Sequence, residues 1–216
     1  MFFQRDYILR MIEMMGDIMR RIREMMNDLA RMKLLEDVCR DHCGLPLETA
    51  EALTARSLHE LLQPMPRLMM SEILYAKATT FTLPLDERDA LLYKSLCLLA
   101  SLWEEGPLCE LRADRLLEMK EAAFPFLTGG ELLDCARFLM EGERYADMED
   151  ALFQAVEQAR AEGEGVPWMA DTGVDMLTRA ASAPPEALAF ARTTREELLA
   201  SAREMRDIAE QLSGVD

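Results

Sequence analysis

The sequence predicts an all-α protein, with a long N-terminal amphipathic helix followed by a body of helical hairpins. Leu, Ala, Met, Glu and Arg dominate the composition, and only 6% of the residues are aromatic. That usage favours helix over strand. Apolar residues recur three or four positions apart, and Gly and Pro mostly stand where such runs end. We therefore predict two parts, a helical segment over 1–44 and a body over 45–216.

The N-terminal segment carries an unbroken heptad pattern of apolar residues, which we call the seam. Its spacings alternate between three and four over about four heptads, which is typical of a helix that packs along another helix. The seam residues are Ile8, Met11, Met15, Ile18, Ile22, Met25, Leu29 and Met32. Ile12, Met19 and Met26 widen the seam into a stripe that must be buried. Its partner is either the body of the same chain, or a second copy or another protein.

We predict that this first helix continues to Cys43, with Gly44 as the residue that ends it. Asn27 and Asp28 offer an alternative break, because short polar side chains compete for the backbone hydrogen bonds of a helix. The seam passes this point in phase, through Leu29 and Met32, which favours a continuous helix.

The body alternates helix patterns with short turns, after a loop or short helical piece over 45–56. Capping boxes are predicted at Ser57–Glu60, at Thr128–Glu131, and as overlapping pairs from Thr193 and Thr194 to Glu196 and Glu197. The first predicted helix of the body begins at Ser57 and ends before Pro64. Six more are predicted over about 67–80, 85–105, 112–124, 128–140, 144–161 and 167–181. A short helix then begins at Pro184 or Pro185, and the last helix begins at the Thr193 and Thr194 boxes and ends at about residue 212. Short connections of this kind indicate a bundle or an α-solenoid.

The segment from Gly130 to Ala161 resembles one tetratricopeptide unit. The matching positions are Leu132, Cys135, Ala136, Leu139, Tyr145, Met148, Leu152 and Ala155. Met148 stands where the family has alanine, and Arg160 replaces its closing proline. The resemblance implies a body of tetratricopeptide-like helical hairpins.

The opening residues Gln4–Glu13 are similar to the start of a family of uncharacterised bacterial all-helical proteins. Those proteins begin with such an amphipathic helix and continue as tetratricopeptide-like hairpins. The resemblance implies the same fold and a bacterial cytoplasm, and it carries over no functional residues.

The charge distribution constrains the partner. The net charge is −16 and the pI is about 4.6, so the surface repels nucleic-acid phosphates and we expect no nucleic-acid binding. Residues 1–33 hold seven Lys/Arg and five Asp/Glu, a net +2, which leaves −18 for the rest. A basic amphipathic helix could also lie on an anionic membrane, but its polar face mixes both charge signs, which favours a protein partner.

No residue pattern indicates an enzyme or a cofactor. Cys39, His42 and Cys43 share one helical face and are the best metal candidates, but no second Cys/His pair supplies a fourth ligand, so we predict no metal site. Asp41, His42 and Cys43 are adjacent, and neighbours on a helix point about 100° apart, which prevents a catalytic relay. A catalytic pair among the dispersed carboxylates is the weaker alternative.

The sequence as a whole predicts a non-catalytic interaction or scaffold protein, acidic and able to form an oligomer through the seam. The acidic hairpin surface around Glu141–Asp150 is a second expected contact face. Five cysteines without a disulfide rhythm, no secretory signal and no long apolar run lead us to expect a cytoplasmic location.

Overall fold

The computed structural model describes residues 2–163 and 165–213, and the side chains of 5–163 and 165–211. Over these residues it is 83% helical and has no strand, which confirms the all-α prediction. Twelve α-helices and one 3-10 helix make up the described chain. They are α1 Phe2–Glu24, α2 Asp28–Cys43, α3 Leu47–Ala52, α4 Ala55–Leu61, α5 Pro64–Thr80, α6 Leu85–Ala100, α7 Gly106–Ala123, the 3-10 helix Phe124–Phe126, α8 Gly129–Glu141, α9 Tyr145–Glu162, α10 Val166–Ala180, α11 Pro185–Phe190 and α12 Arg195–Ser213.

The chain folds into two compact units. The first comprises Met1–Leu108 and Asp114–Phe126, and the second comprises Cys109–Ala113 and Leu127–Asp216. Helix α7 contributes residues to both units. The division does not follow the predicted boundary at residue 44, since α1 and α2 belong to the first unit.

Helix α5 is the centre of the first unit. Between Leu68 and Ala78 only Tyr75 is more than marginally accessible, and even Glu72 and Lys77 are buried. A helix that is buried on all sides needs neighbours on all sides. Helices α1, α2 and α6 all contact α5 and supply that cover.

The second unit is formed mainly by two helix pairs, α8 with α9 and α10 with α12. Small side chains let the first pair approach closely: Ala136 and Ala155 are fully buried, as the resemblance to a tetratricopeptide unit implies for these two positions. Met148 is fully buried as well, so the pair accommodates the larger residue at that position. The pairing gives helical hairpins, and a true repeat stays a prediction.

The predicted capping boxes have mixed outcomes. The Thr128 amide donates to the Glu131 carboxylate at 2.8 Å, and the Thr194 amide donates to the Glu197 carboxylate at 2.8 Å, so these two boxes are confirmed. The overlapping box from Thr193 to Glu196 is wrong, since the Thr193 hydroxyl donates to Glu197 at 3.5 Å instead. The box at Ser57 is wrong. Thr54 caps α4 instead, because its hydroxyl accepts the Ser57 amide at 3.1 Å.

The prediction of one continuous N-terminal helix is also wrong, and the alternative break at Asn27 is confirmed. Asn27 is extended (φ −109°, ψ 116°), and its side-chain oxygen accepts the amides of Leu29 at 2.9 Å and Ala30 at 3.2 Å. Those two bonds satisfy amides at the start of α2 that lack an intrahelical partner. Helix α2 then ends as predicted, with Gly44 in the left-handed conformation at φ 70°.

Arg31 fixes the turn between α1 and α2. Its Nε donates to the Met25 carbonyl at 2.6 Å, and its guanidinium pairs with Asp28 at 3.1 Å and reaches the Thr80 carbonyl at 3.4 Å. The turn is therefore tied to both of its helices and to the end of α5. A tied turn holds its exposed residues in one arrangement.

Replacing Asn27 by alanine is expected to lower the free energy of unfolding by about 1 kcal/mol, the usual cost of losing an N-cap side chain. Urea denaturation followed by circular dichroism measures the change. Asn27→Asp is the matched control, because aspartate caps as well as asparagine and should leave the stability nearly unchanged. Equal stability of the alanine variant and the original chain would contradict the capping role.

Candidate interaction surfaces

The first half of the seam is buried within the monomer. Ile8, Met15 and Ile22 are at most 1% exposed, and Ile18 is also buried. Helix α1 contacts α5, so the first unit itself covers this part of the seam. Met11 is half-buried. The sequence left open whether the seam packs on the same chain or on another one, and the first half packs on the same chain.

The second half of the seam is not covered in the same way. Met25 and Met32 are half-buried, but Leu29 is 80% exposed, as is the neighbouring Met26 at 96%. The residues 25–27 between the two helices are not helical, and they change the direction in which α2 presents its apolar residues. The first unit therefore does not cover Leu29, and its burial against a second copy or another protein stays a prediction.

The turn between α1 and α2 presents a mixed apolar and basic surface, which we call the junction surface. It consists of Met26 and Leu29 with Arg21, Arg23 and Lys33, all of them exposed. Leu29 and Lys33 are four residues apart on α2 and lie on one helical face. Residues 20–33 contain five Lys/Arg and two Asp/Glu, a net +3 in a chain of −16. Within the described residues, Arg21, Arg23 and Lys33 form no ion pair.

A groove lies on the exposed side of α6, and we call it the α6 groove. Asp86, Asp89, Ala90 and Tyr93 line it from one helical face, at spacings of three, four and seven from Asp86. Phe126 of the 3-10 helix forms another wall. The groove has a volume of about 610 Å³ and combines an apolar floor with carboxylates at its edge. Asp89 lies 3.3 Å from Arg88.

The sequence reasoning missed the α6 groove. Two signals were present: the i, i+3, i+4, i+7 spacing of its α6 residues, and the exposed aromatic pair of Phe124 and Phe126 around a proline. The first signal resembles an ordinary solvated helical face. Only the fold brings Phe126 next to a helix that ends at Ala100.

The three metal candidates do not form an accessible site. Cys39 and Cys43 are buried, and His42 is half-buried. The Cys43 thiol donates a hydrogen bond to the Pro66 carbonyl at 3.4 Å. A hydrogen bond with Cys39, together with burial, raises the pKa of Cys43. The same hydrogen bond lowers the pKa of Cys39, so the pair favours a thiolate at Cys39 and disfavours one at Cys43. Across the described residues, no cluster of three or more His, Cys, Asp or Glu side chains could hold a metal ion.

The acidic surface expected around Glu141–Asp150 is partly neutralised. Glu141 pairs with Arg179 at 3.0 Å, Asp147 pairs with Arg144 at 2.8 Å, and Glu149 accepts the Ser201 hydroxyl at 2.5 Å. Arg179 and Arg144 belong to the same unit and reduce the negative charge available to a ligand. The α6 groove is affected in the same way, since Asp89 pairs with Arg88.

The buried charges of the first unit are paired with one another. The Glu72 carboxylate is 2% exposed and lies 3.3 Å from Nε of Arg115, whose guanidinium carbon is 5.2 Å from the centre of the Tyr75 ring. The cavity beside these groups holds only about 10 Å³. Burial raises the pKa of the Tyr75 phenol despite the nearby guanidinium. A cavity of that size leaves no space for a substrate.

Lys77 forms a second buried pair in this unit. Its ammonium group lies 2.7 Å from Glu51 and 3.3 Å from Glu87. Burial disfavours the charged form of Lys77, but its hydrogen bonds with the two carboxylates outweigh burial and raise its pKa. The arrangement keeps the lysine protonated and joins α5 to α3 and α6, which is a structural task.

No protein-family model, curated protein or solved structure matches the chain. The resemblances noted in the sequence therefore stay predictions. In the part of the chain that the structure describes, no helix has the length and apolar character needed to cross a membrane.

Proposed function

We propose that this chain is a non-catalytic protein-interaction module that associates with a second copy of itself through the junction surface. The observation that carries the proposal is the exposure of Met26 and Leu29, at 96% and 80%, on a turn that hydrogen bonds hold in place. An exposed leucine or methionine is common on protein surfaces. Two of them on a fixed turn, beside three unpaired cations, form a surface suited to contact.

The energetics support association at this turn. Full burial of a leucine or methionine side chain contributes about 1.5–3 kcal/mol. Asn27 and Arg31 already order the backbone of the turn, so binding loses less conformational entropy there than at a flexible loop. The local charge of +3 favours an acidic protein surface as the partner, and the rest of this chain is strongly acidic.

An anionic membrane is the second candidate partner, favoured by the same cations and apolar side chains. The junction surface offers only two strongly exposed apolar residues, however, and Glu24 and Asp28 lie within the same stretch. Membrane-surface helices usually present a long apolar face. Here most of the apolar face of α1 is used within the first unit.

Sedimentation velocity of the full chain over a range of concentrations tests the proposal. We expect the original chain to associate and the double variant Met26→Ser, Leu29→Ser to remain monomeric. The control is Leu61→Ser, Phe190→Ser, which removes two other exposed apolar side chains and should associate like the original chain.

Two outcomes contradict the proposal: a monomeric original chain at every concentration, or unchanged association of the Met26, Leu29 variant. Co-sedimentation with vesicles of phosphatidylserine and phosphatidylcholine separates the membrane alternative. Vesicle binding by a chain that stays monomeric, lost on replacing Met26 and Leu29, would favour the membrane instead.

A further inference from the structure

We infer that the α6 groove of one copy receives the junction surface of another copy. The inference rests on the proposed function, since it names the surface that the junction surface contacts. It follows from the exposed apolar side chains and the opposite charges that the two surfaces carry on the same chain.

Both surfaces expose apolar side chains that a contact would cover. Met26 and Leu29 stand out from the turn, whereas Ala90 is a small residue between the side chains of Asp86, Asp89 and Tyr93 and opens space on α6. The groove, with a volume of about 610 Å³, is open to solvent rather than enclosed, so a projecting side chain would lie against its apolar lining. Phe126 is 44% exposed beside this space, and a bound apolar side chain would cover it.

The charges at the two edges also correspond. Arg21, Arg23 and Lys33 are exposed within a few residues of Met26 and Leu29 along the chain, and Asp86 and Asp89 are among the residues that line the groove. Opposite charges around apolar centres favour encounter in one orientation. A pairing of two junction surfaces would instead bring cations together, and a pairing of two grooves would bring carboxylates together. Of the three possible pairings, electrostatics therefore favours the one between a junction surface and an α6 groove.

Such a contact is heterologous, because it joins two different surfaces of identical chains. Each added copy leaves one junction surface and one α6 groove unoccupied, so association continues into a closed ring or an open series. The original chain should accordingly form species larger than a dimer as its concentration rises. A symmetric contact would stop at the dimer.

Mixing two variants tests the pairing. One is Met26→Ser, Leu29→Ser, which keeps the groove, and the other is Ala90→Arg, which keeps the junction surface and fills the groove with a cation. Ala90 is exposed on a helix, so arginine is compatible with the fold there. Circular dichroism checks that both variants are folded. The control Ala200→Arg adds the same cation at an exposed position of α12.

We expect each variant alone to lose association and their mixture to form a 1:1 complex that grows no further, while Ala200→Arg associates like the original chain. If Ala90→Arg associates normally while the Met26, Leu29 variant does not, the inference fails and the proposed function stands. A mixture that stays monomeric, or a loss of association in Ala200→Arg, also overturns the inference. If the Met26, Leu29 variant itself associates, the proposed function fails as well.

Discussion

Replacing Ile22 by alanine is expected to lower the free energy of unfolding by about 2–5 kcal/mol, the cost of losing buried methylene groups and leaving a cavity. Ile22 is completely buried in α1, which contacts the central helix α5. Urea denaturation followed by circular dichroism measures the loss. This is the largest effect that we expect from a single substitution in the N-terminal segment.

The matched control for Ile22 is Met26→Ala, only four residues along the same predicted seam stripe. Met26 is 96% exposed, so its truncation should change the free energy of unfolding by no more than about 0.5 kcal/mol. Equal losses at the two positions would mean that α1 does not pack on the first unit as described. A small loss at both would mean that α1 contributes little to folding.

Replacing Gly129 by alanine is expected to cost about 1–3 kcal/mol, the usual penalty for adding a methyl group to a closely packed site. A Cβ atom at Gly129 would lie 2.8 Å from the Ala155 carbonyl oxygen and 3.0 Å from the Ala159 Cβ. Both atoms belong to α9, so the added methyl group would push α8 and α9 apart. The change is measured as a shift of the urea midpoint of the full chain.

Gly130 supplies the control for this second substitution, because it is the next residue of the same helix. A Cβ atom there meets nothing closer than the Thr128 hydroxyl, at 3.6 Å. Gly130→Ala should therefore be neutral or should stabilise the chain by up to about 1 kcal/mol, as alanine favours helix more than glycine does. A loss as large as that of Gly129→Ala would remove the steric explanation.

Helix positions could be predicted well wherever the apolar periodicity agreed with the residues that cap or terminate helices. The Thr128 and Thr194 boxes and Gly44 each mark a helix end through local chemistry that needs no tertiary information. The predicted start of the next helix after Pro66 was wrong, because Pro64 and Pro66 both lie in the first turn of α5. The prediction for 85–105 was too long, since α6 ends at Ala100. Gly106 and Pro107 begin α7 rather than end α6, and proline is well suited to a first helical turn.

The break at Asn27 shows why the seam misled the prediction. Heptad spacing counts residues along the chain, and the count stays in phase across a turn even when the helix axis does not. Asn27 can cap α2 only with an extended backbone, and that conformation interrupts the helix. The bonds from Arg31 to Met25 and Thr80 decide the outcome, and the contact with Thr80 depends on the tertiary fold.

The candidate site was predicted only in part. The basic, apolar character of the N-terminal segment was visible in the sequence, and the seam correctly marked Ile8, Met15 and Ile22 as residues that need cover. The α6 groove was not visible, because Phe126 reaches it through the turn after α7. Surfaces assembled from distant segments require the fold itself.

The residues that fix the turn between α1 and α2 differ from those to which the proposed function assigns binding. The residues that hold the turn lie within it and beneath it, whereas Met26 and Leu29 project from it with little contribution to the core. Substitutions at these two positions can therefore change what the chain binds without unfolding it. Residues 26 and 29 can therefore vary widely in evolution or in the laboratory while the free energy of unfolding stays almost constant.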